Sequence, residues 1–294
     1  MKKLIEVLRP RWREFKLSFY LLNRNILTRI ALITVVLLVL LAIFSPFIIP
    51  YPGQVENENA PGIALQAPDK EHLFGTDEMG RDVFSRVLYG TRISLCASLV
   101  AVAMAVVFGT TLGAIAGAAG GIVDELIMRI TDVFLSFPSL LLAIVISSFL
   151  GPSLTNAMLS IAISWWPWYT RIVRGQAVSI RERQFVRAAR AIGTPEHTII
   201  LKHIIPNTIA QVIVRASMDI GGVIMTLASL SFLGLGAQSP TPEWGLMINV
   251  GRTYFQTAWW ISIFPGLAIF LTVLVFNLLG DGLREVLDPK TRKL

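Results

Sequence analysis

Long apolar runs without a charged residue constrain this chain more than any other feature. Residues 30–49 are twenty consecutive uncharged positions, and the stretches 93–119 and 133–170 carry no charge either. About 20 apolar residues in a helix cross the hydrocarbon core of a bilayer. Charged residues make up 15% of the chain, whereas a typical soluble domain carries about 25%. The sequence therefore predicts an all-α membrane protein.

Polar stretches and helix breakers divide the chain into six predicted transmembrane helices. Gly151-Pro152-Ser153 separates the third helix from the fourth, because such a tripeptide is typical of a helix break. The predicted segments are a cytosolic N-terminal segment (1–29), a first transmembrane anchor (30–50), an extracytoplasmic loop (51–92), a core of five helices (93–281) and a cytosolic tail (282–294).

The distribution of Lys and Arg places both termini in the cytosol. The first 29 residues hold eight Lys/Arg, and residues 171–205 together with the tail hold eleven, whereas the proposed outer loop 237–252 holds only Arg252. Cytosolic loops are enriched in Lys and Arg, which also explains the net charge of +7 without a nucleic-acid partner. A cleavable signal peptide would have a shorter apolar core and a small-residue cleavage site, so the first helix is predicted to be retained.

The basic segment 179–206 is predicted to form a helix–turn–helix elbow on the cytosolic side. Ser179 followed by Glu182 matches a capping box, which predicts a helix that begins near Ile180. Gly193 is predicted to end this helix in a left-handed turn. The predicted apolar face comprises Phe185, Ala188, Ala189 and Ile192, and the basic face comprises Arg183, Arg187 and Arg190.

A second short helix is predicted to follow, capped by Thr194 and with Pro195 at its first position. Pro206 then leads into the fifth span. The elbow suits either docking into a groove on a cytosolic protein or binding to anionic lipid at the membrane surface. The residue pattern alone leaves both interpretations open.

Two charges lie inside the fifth predicted span. Arg215 and Asp219 are four residues apart, and each costs about 2.5–3.5 kcal/mol at the centre of a membrane helix. They are therefore predicted to pair, to face a water-filled cavity, or to lie near the cytosolic end. A role in the translocation pathway, with Asp219 attracting a peptide amine, stands beside a purely structural pair.

Small residues recur at every fourth position of the second span. They are Ala97, Ala101, Ala105, Gly109, Gly113 and Gly117. Such a stripe allows two helix backbones to approach closely. Packing within the chain and packing against a second subunit both fit this pattern.

Four stretches of the sequence carry a family resemblance. One is the spacing Ala188-Ala189-x3-Gly193-x12-Pro206, which resembles the EAA loop of ATP-binding-cassette (ABC) importer permeases. The others are HLFGTDEMGRDVFSRVLYGTRISL (72–95), LSFLGLGAQSPTPEWG (230–245) and FPGLAIFLTVLVFNLLGDGLREVLDP (264–289). These resemble the second, C-type permease subunit of the dipeptide, oligopeptide and nickel importers. The resemblance covers nearly the whole chain and implies the type I ABC importer permease fold.

The resemblance implies a mechanical role for the elbow, which in such permeases rests in a cleft of the ATPase subunit. The implied coupling residues are Phe185, Arg187, Ala188, Ala189, Gly193, Thr194, Pro195 and Pro206. Two positions depart from the family consensus, since Arg187 stands in place of Glu and His203 in place of Ile. Shape around Gly193 is therefore expected to matter more than charge at Arg187.

The resemblance also implies partners and a location. The partners are a homologous second permease subunit forming a heterodimer, two ABC ATPase subunits that bind ATP and Mg²⁺, and an extracytoplasmic substrate-binding protein. The implied location is the cytoplasmic membrane of a bacterium or archaeon. Docking of the binding protein is expected at a predicted outer surface helix and at the loop before the sixth span, on Asp77, Glu78, Arg81, Asp82, Glu243 and Trp244.

The expected function is import of dipeptides or oligopeptides as a non-catalytic subunit. Nickel, glutathione and oligosaccharides are alternative substrates for the same machinery. The sequence holds no G-x-x-x-x-G-K-[S/T] phosphate loop, and its three histidines lack zinc-ligand spacing, so no cofactor is expected on this chain. A stand-alone secondary transporter is the remote alternative, because no internal repeat is found. An intramembrane enzyme would need a nucleophile and base that the sequence does not offer.

Overall fold

The computed structural model describes residues 25–55 and 58–287, which are mainly helical. The helices are α1 (Ile26–Ile48), α2 (Val83–Ala119), α3 (Gly121–Leu135), α4 (Ser139–Leu150), α5 (Leu154–Arg181), α6 (Gln184–Ala191), α7 (Glu196–Phe232), α8 (Trp244–Gly251) and α9 (Trp260–Leu287). Short 3₁₀ turns occupy Gly53–Val55, Pro61–Ile63 and Arg252–Tyr254. Much of the predicted N-terminal segment (1–29) and of the predicted tail (282–294) lies outside the described residues.

Helices long and apolar enough to cross a membrane are α1, α2, α7 and α9. The pair α3 and α4 qualifies as one further span, bent by 90°. Hydroxyl, amide and arginine side chains interrupt the apolar sequence of α5, which carries the predicted fourth span and does not qualify by the same measure. Length and composition thus give up to five spans in the described residues, against the six predicted.

The bend between α3 and α4 is a difference from the predicted fold, which has no break there. Pro138 lies between the two helices. Proline disfavours the helical conformation at the preceding residue and lacks an N–H for the helical ladder, so it gives a physical reason for the break. The predicted break at Gly151-Pro152-Ser153 is confirmed: Gly151 has φ +88°, and the Ser153 side chain caps α5.

Helix α2 begins before the predicted second span and replaces the predicted surface helix. Residues 76–82 form a turn closed by a β-bridge between Thr76 and Asp82, and the backbone N–H of Ser85 donates to the Asp82 side chain at 2.7 Å. This cap begins a helix of 37 residues, about 55 Å long at 1.5 Å per residue. A hydrocarbon core is about 30 Å thick, so α2 extends well beyond it.

The small-residue stripe on α2 packs against α5 within the chain. A Cβ added to Gly113 would lie 2.5 Å from the carbonyl oxygen of Thr170, and one on Gly109 would overlap Trp166. The stripe's three alanines, Ala97, Ala101 and Ala105, are also buried. The stripe is therefore an internal helix contact, and its interpretation as a contact with a second subunit is wrong for these residues.

Helix α7 lies at the centre of the bundle, in contact with α2, α5 and α9. Its buried side chains Ile224, Leu227 and Leu230 belong to one apolar core with Leu95 of α2 and Ile161 of α5. Among the described elements, helix α1 contacts α2 and α9 extensively, and it leaves most of its apolar side chains exposed. This arrangement suits a peripheral helix whose outer face contacts lipid.

Candidate functional site

The elbow consists of α6, the turn that follows it and the first turns of α7. Its start differs from the prediction, because α5 continues to Arg181 and Arg183 precedes the first residue of α6. Ser179 and Glu182 therefore form no capping box. The reason is tertiary: Ile180 is only 3% exposed and packs in the same apolar cluster as Val186 of α6, so burial keeps this last turn of α5 helical.

Gly193 ends α6 in the predicted left-handed conformation, with φ +80°. The backbone N–H of Thr194 donates to the carbonyl of Ala189 at 3.0 Å, and that of Gly193 donates to the carbonyl of Arg190 at 2.9 Å. This pair of bonds is the Schellman pattern, which satisfies carbonyls at a helix end. No atom lies within 4 Å of a Cβ placed on Gly193, so the requirement for glycine is conformational.

The start of α7 lies one residue later than predicted. Pro195 occupies the capping position and Glu196 begins the helix, so Thr194 belongs to the turn. A π-helical turn spans Ile200–Ile204 and leads directly to Pro206 near the start of the regular α-helix. A proline has no N–H to donate to the preceding turn, and a π-turn is one way in which a continuous helix accommodates this gap.

The elbow has a buried inner side and an exposed apolar outer side. Val186 and Ile199 are fully buried in the cluster shared with α2 and α5. Three exposed residues of the predicted apolar face, Phe185, Ala188 and Ile192, form what we call the elbow surface. Ile192 is 83% exposed. Ala189, predicted on the same face, is half-buried.

The arginines of the elbow fall into two groups. Arg190 donates from Nη2 to the carbonyl of Ala118 at 3.1 Å and pairs with Glu196, so it ties the elbow to the C-terminal end of α2. Arg183 and Arg187 are exposed, and neither side chain has a hydrogen bond or ion pair in the described residues. The predicted common basic face is therefore divided between an internal link and two solvent-facing cations.

Arg215 and Asp219 pair as predicted, with Nε of Arg215 3.0 Å from Oδ2 of Asp219. Asp219 is buried, whereas the Arg215 side chain is 38% exposed. The Arg215 guanidinium lies 5.6 Å from the centroid of the Trp168 ring on α5. The buried hydroxyl of Tyr169 lies beside Asp219 without a hydrogen bond of standard geometry in the described residues.

The predicted docking residues around position 80 lie in an enclosed turn. The Asp77 carboxylate accepts from Nε of Arg81 at 2.8 Å, and Asp82 accepts from His72 at 2.9 Å while it caps α2. Asp77, Arg81 and Asp82 are each less than 5% exposed, and Glu78 is only partly exposed. The prediction of a surface helix here is wrong, because these charges satisfy one another inside the turn.

Glu243 and Trp244 are buried as well. Glu243 caps α8 by accepting from the N–H of Leu246 at 2.9 Å, and it accepts from the Ser94 hydroxyl of α2 at 3.3 Å. Burial raises the pKa of the Glu243 carboxyl. The indole N–H of Trp244 donates to the carbonyl of Val87 at 3.0 Å. We call the structure formed by these two residues and the turn at 76–82 the outer cap. Their buried side chains offer little surface that a partner could contact.

Ion pairs between α5 and α3 have no counterpart in the sequence analysis. Arg174 donates to Asp124 at 2.6 Å, and Arg171 pairs with Asp132. The partners are 50 and 39 residues apart, so no local spacing indicates them. Among the described residues, no group of three or more His, Cys, Asp or Glu is placed to hold a metal ion.

Two family models match this chain. Residues 109–293 match the model described as binding-protein-dependent transport system inner membrane component. Residues 12–68 match the N-terminal transmembrane domain of oligopeptide transport permease C. The first match includes the elbow, α7 and α9, and the second includes α1.

Curated proteins similar to this chain are transport permeases. A dipeptide transport system permease protein of Alkalihalophilus pseudofirmus is 48% identical over 96% of this chain and 90% of its own length. A glutathione transport system permease protein of Shigella flexneri is 47% identical over 97% of this chain and 92% of its own. A probable D,D-dipeptide transport system permease protein of Escherichia coli is 46% identical over 92% of this chain and 90% of its own.

A solved structure shares the fold. A chain of the inward-facing methionine ABC transporter MetNI superposes with a TM-score of 0.55 at 18% identity. The match covers 69% of this chain and 97% of that one. At this identity the likeness concerns the helical architecture alone.

Proposed function

This chain belongs to the family of binding-protein-dependent inner-membrane transport components, and we propose that it is the C-type permease subunit of an ATP-driven importer of dipeptides and oligopeptides. It is a multi-pass membrane protein, and the cytoplasmic membrane of a bacterium or archaeon is the proposed location. The names of its similar relatives support peptide substrates. Glutathione, itself a peptide, is the second candidate because the relative from Shigella flexneri is named for it.

The observation that carries the proposal is the elbow. Its inner side chains are fully buried, Arg190 ties it to α2, and it joins α5 to α7 without a flexible linker. A push on the exposed elbow surface would therefore move three helices together. We propose that two ABC ATPase subunits, which carry ATP and Mg²⁺, receive the elbows of this chain and of a homologous permease partner. ATPase closure then drives alternating access in the membrane.

We retain all the residues predicted to couple the ATPase subunits to the membrane helices, but they contribute in different ways. Phe185 and Ala188 present the contact surface, and Arg187 offers an exposed cation beside it. Ala189, Gly193 and Thr194 shape the turn through their backbone. Pro195 and Pro206 fix the beginning of α7.

Docking of the substrate-binding protein is proposed for the exposed exterior of the outer cap. The buried residues predicted for this role, Asp77, Arg81, Asp82, Glu243 and Trp244, would then support that exterior rather than touch the partner. Glu78 is the one predicted residue with partial exposure. Met79 and Leu73, at 45% and 56% exposure, are apolar groups that a partner could reach.

The test is co-purification of this chain from its native membrane in mild detergent, followed by identification of the bound chains. We expect a homologous permease and ABC ATPase subunits. An Ile192→Asp variant should lose the ATPase subunits while it keeps the permease partner, because a carboxylate placed on the elbow surface resists burial. The matched control, Ile192→Met, keeps an apolar side chain and should retain them.

Two results would contradict the proposal. One is an Ile192→Asp chain that still recovers the ATPase subunits in full. The other is a wild-type chain that purifies alone and transports peptide without ATP, which would favour the secondary transporter.

A further inference from the structure

One face of α7 is not covered by the rest of the chain. Its partly or fully exposed residues recur with alternating spacings of four and three, and they are Gln211, Arg215, Met218, Gly222, Met225, Ser229 and Phe232. We call this set the α7 stripe. Residues spaced three and four apart lie on the same side of a helix, so the stripe is a continuous line.

Helices α5 and α9 flank the α7 stripe. A Cβ added to Gly222 would lie 2.9 Å from the Trp165 ring of α5, and one added to Gly280 of α9 would overlap Met218. Near the outer cap, Met225, Ser229 and Phe232 line a groove of about 390 Å³. Arg215 lies ten residues before Met225 along the same line, about 15 Å away along the helix axis.

The polarity of the α7 stripe differs from that of a lipid-facing surface. Helix α1 exposes apolar side chains and carries no charge from residue 30 to residue 48. The α7 stripe instead exposes an amide, a hydroxyl and the Arg215 guanidinium. A charged group inside a membrane faces a water-filled cavity or a protein interior, because exposure to lipid is costly. The stripe therefore suits the wall of a hydrated pathway.

One nitrogen of the Arg215 guanidinium is bound within the described part of the chain, and the other two are not. Its Nε is bound to Asp219, and the Trp168 ring lies 5.6 Å from its Cζ. The Arg215 side chain has no further hydrogen bond or ion pair within the described residues, so its two terminal nitrogens remain for another acceptor. The Asp219 carboxylate, by contrast, is buried and already paired with Arg215. It is poorly placed to attract a peptide amine.

We propose that Arg215 binds the C-terminal carboxylate of a peptide during its passage, with Asp219 and Trp168 as positioning residues. The inference rests on the proposed function of peptide import. A planar guanidinium offers two parallel N–H groups that match a carboxylate, and its bond to Asp219 fixes the direction of that fork. Dipeptides, oligopeptides and glutathione all carry such a carboxylate.

The experiment measures ATP-dependent uptake by the complete complex in proteoliposomes, with its binding protein present. Two probes are compared, a library of dipeptides and tripeptides and the same library as C-terminal amides. The binding protein is the same in every assay, so a change in the acid-to-amide uptake ratio between variants reports on this chain. We expect Arg215→Gln to lower that ratio by about tenfold or more, because a hydrogen-bonded charge pair is lost.

Further variants separate recognition from structure. Arg215→Lys keeps a cation without the fork and should give an intermediate ratio. Asp219→Asn should lower the ratio as well, because it weakens the hold on the guanidinium. Ser217→Ala, an uncharged change on α7 outside the stripe at a hydroxyl that bonds to carbonyls of its own helix, should leave the ratio as in the wild type.

The outcomes that overturn the inference are distinct. Equal loss of acid and amide uptake in Arg215→Gln would assign Arg215 a structural role, and an unchanged ratio would remove it from recognition. If the wild-type complex imports neither library, the proposal of peptide import fails and this inference fails with it.

Discussion

Gly193 combines a φ of +80° with open space around the position of a Cβ. A side chain there would meet no steric obstacle, and the whole cost of substitution lies in the backbone. For an L-residue the left-handed conformation costs about 1–2 kcal/mol, and Asn tolerates it better than other residues because its side chain can bond locally. The turn that shapes the elbow therefore depends on a single dihedral angle.

We predict that Gly193→Asn keeps ATPase recovery and peptide uptake near wild-type levels, whereas Gly193→Val strongly reduces both. A β-branched residue is a clear outlier at positive φ, so valine should displace the path from α6 to α7. The measurements are co-purification of the ATPase subunits and ATP-dependent uptake. Wild-type ATPase recovery and uptake in Gly193→Val would show that the left-handed turn is not required.

Glu243 is a buried carboxyl whose described hydrogen-bond donors are neutral. Burial holds its pKa above the ordinary value of 4.5, so between 4.5 and the folded-state pKa the folded chain binds more protons than the unfolded chain. Stability falls with rising pH wherever the folded state binds more protons. Glu243 should therefore make the outer cap less stable as the pH rises above 4.5.

We predict that Glu243→Gln flattens this pH dependence, because glutamine keeps an acceptor for Leu246 but cannot ionise. The measurement is the apparent Tm in detergent, followed from the ordinary carboxyl pKa of 4.5 up to neutral pH. Glu243→Ala serves as the contrast, since loss of the helix cap should cost about 0.5–2 kcal/mol at every pH. A Gln variant with the wild-type slope would contradict the assignment.

At the level of elements, the contact between α2 and α5 depends on glycine because the backbones of these two helices touch directly. We predict that Gly113→Ala lowers the apparent Tm of the complex, because its Cβ would lie 2.5 Å from the carbonyl oxygen of Thr170. Overpacking of this kind typically costs about 1–3 kcal/mol. Gly175→Ala on α5 is the matched control, since nothing lies within 4 Å of its Cβ. It should leave the Tm unchanged or slightly raised, and the reverse order would refute the packing argument.

At the level of the whole molecule, the elbow reaches the bundle through α5, α7 and the Arg190 link to α2. Arg190 donates to Ala118, whose carbonyl lies at the C-terminal end of α2, where cations are favoured by the helix dipole. Because Arg190 is about one third exposed, its ion pair adds little to stability, roughly 1 kcal/mol or less. Its larger effect should be on the transmission of movement.

We predict that Arg190→Leu lowers peptide uptake per ATP hydrolysed several-fold, with the ATPase subunits still bound and little change in Tm. Arg183→Leu is the control, because Arg183 lies outside the proposed coupling residues, is exposed, and its side chain has no hydrogen-bond or ion-pair partner among the described residues. It should retain the wild-type ratio of uptake to hydrolysis. Loss of ATPase binding in Arg190→Leu would place that residue in the docking surface instead.

The sequence by itself determined the membrane class, the family, the elbow and the left-handed turn at Gly193. These depend on local quantities, namely runs of apolar residues, charge counts and a glycine after a helix. It also indicated that Arg215 and Asp219 pair, because a spacing of four brings two side chains together on any helix.

Only the tertiary structure decided which predicted residues are accessible and what they contact. Ser179 and Glu182 match a capping box, yet burial of Ile180 keeps α5 helical past them. Asp77, Arg81 and Glu243 are charged, yet turn geometry and helix capping enclose them in the outer cap. The α2 stripe could serve a partner, but α5 covers it. Burial and pairing join residues that are far apart in the chain. The local sequence around a residue therefore does not indicate which distant residues will contact it.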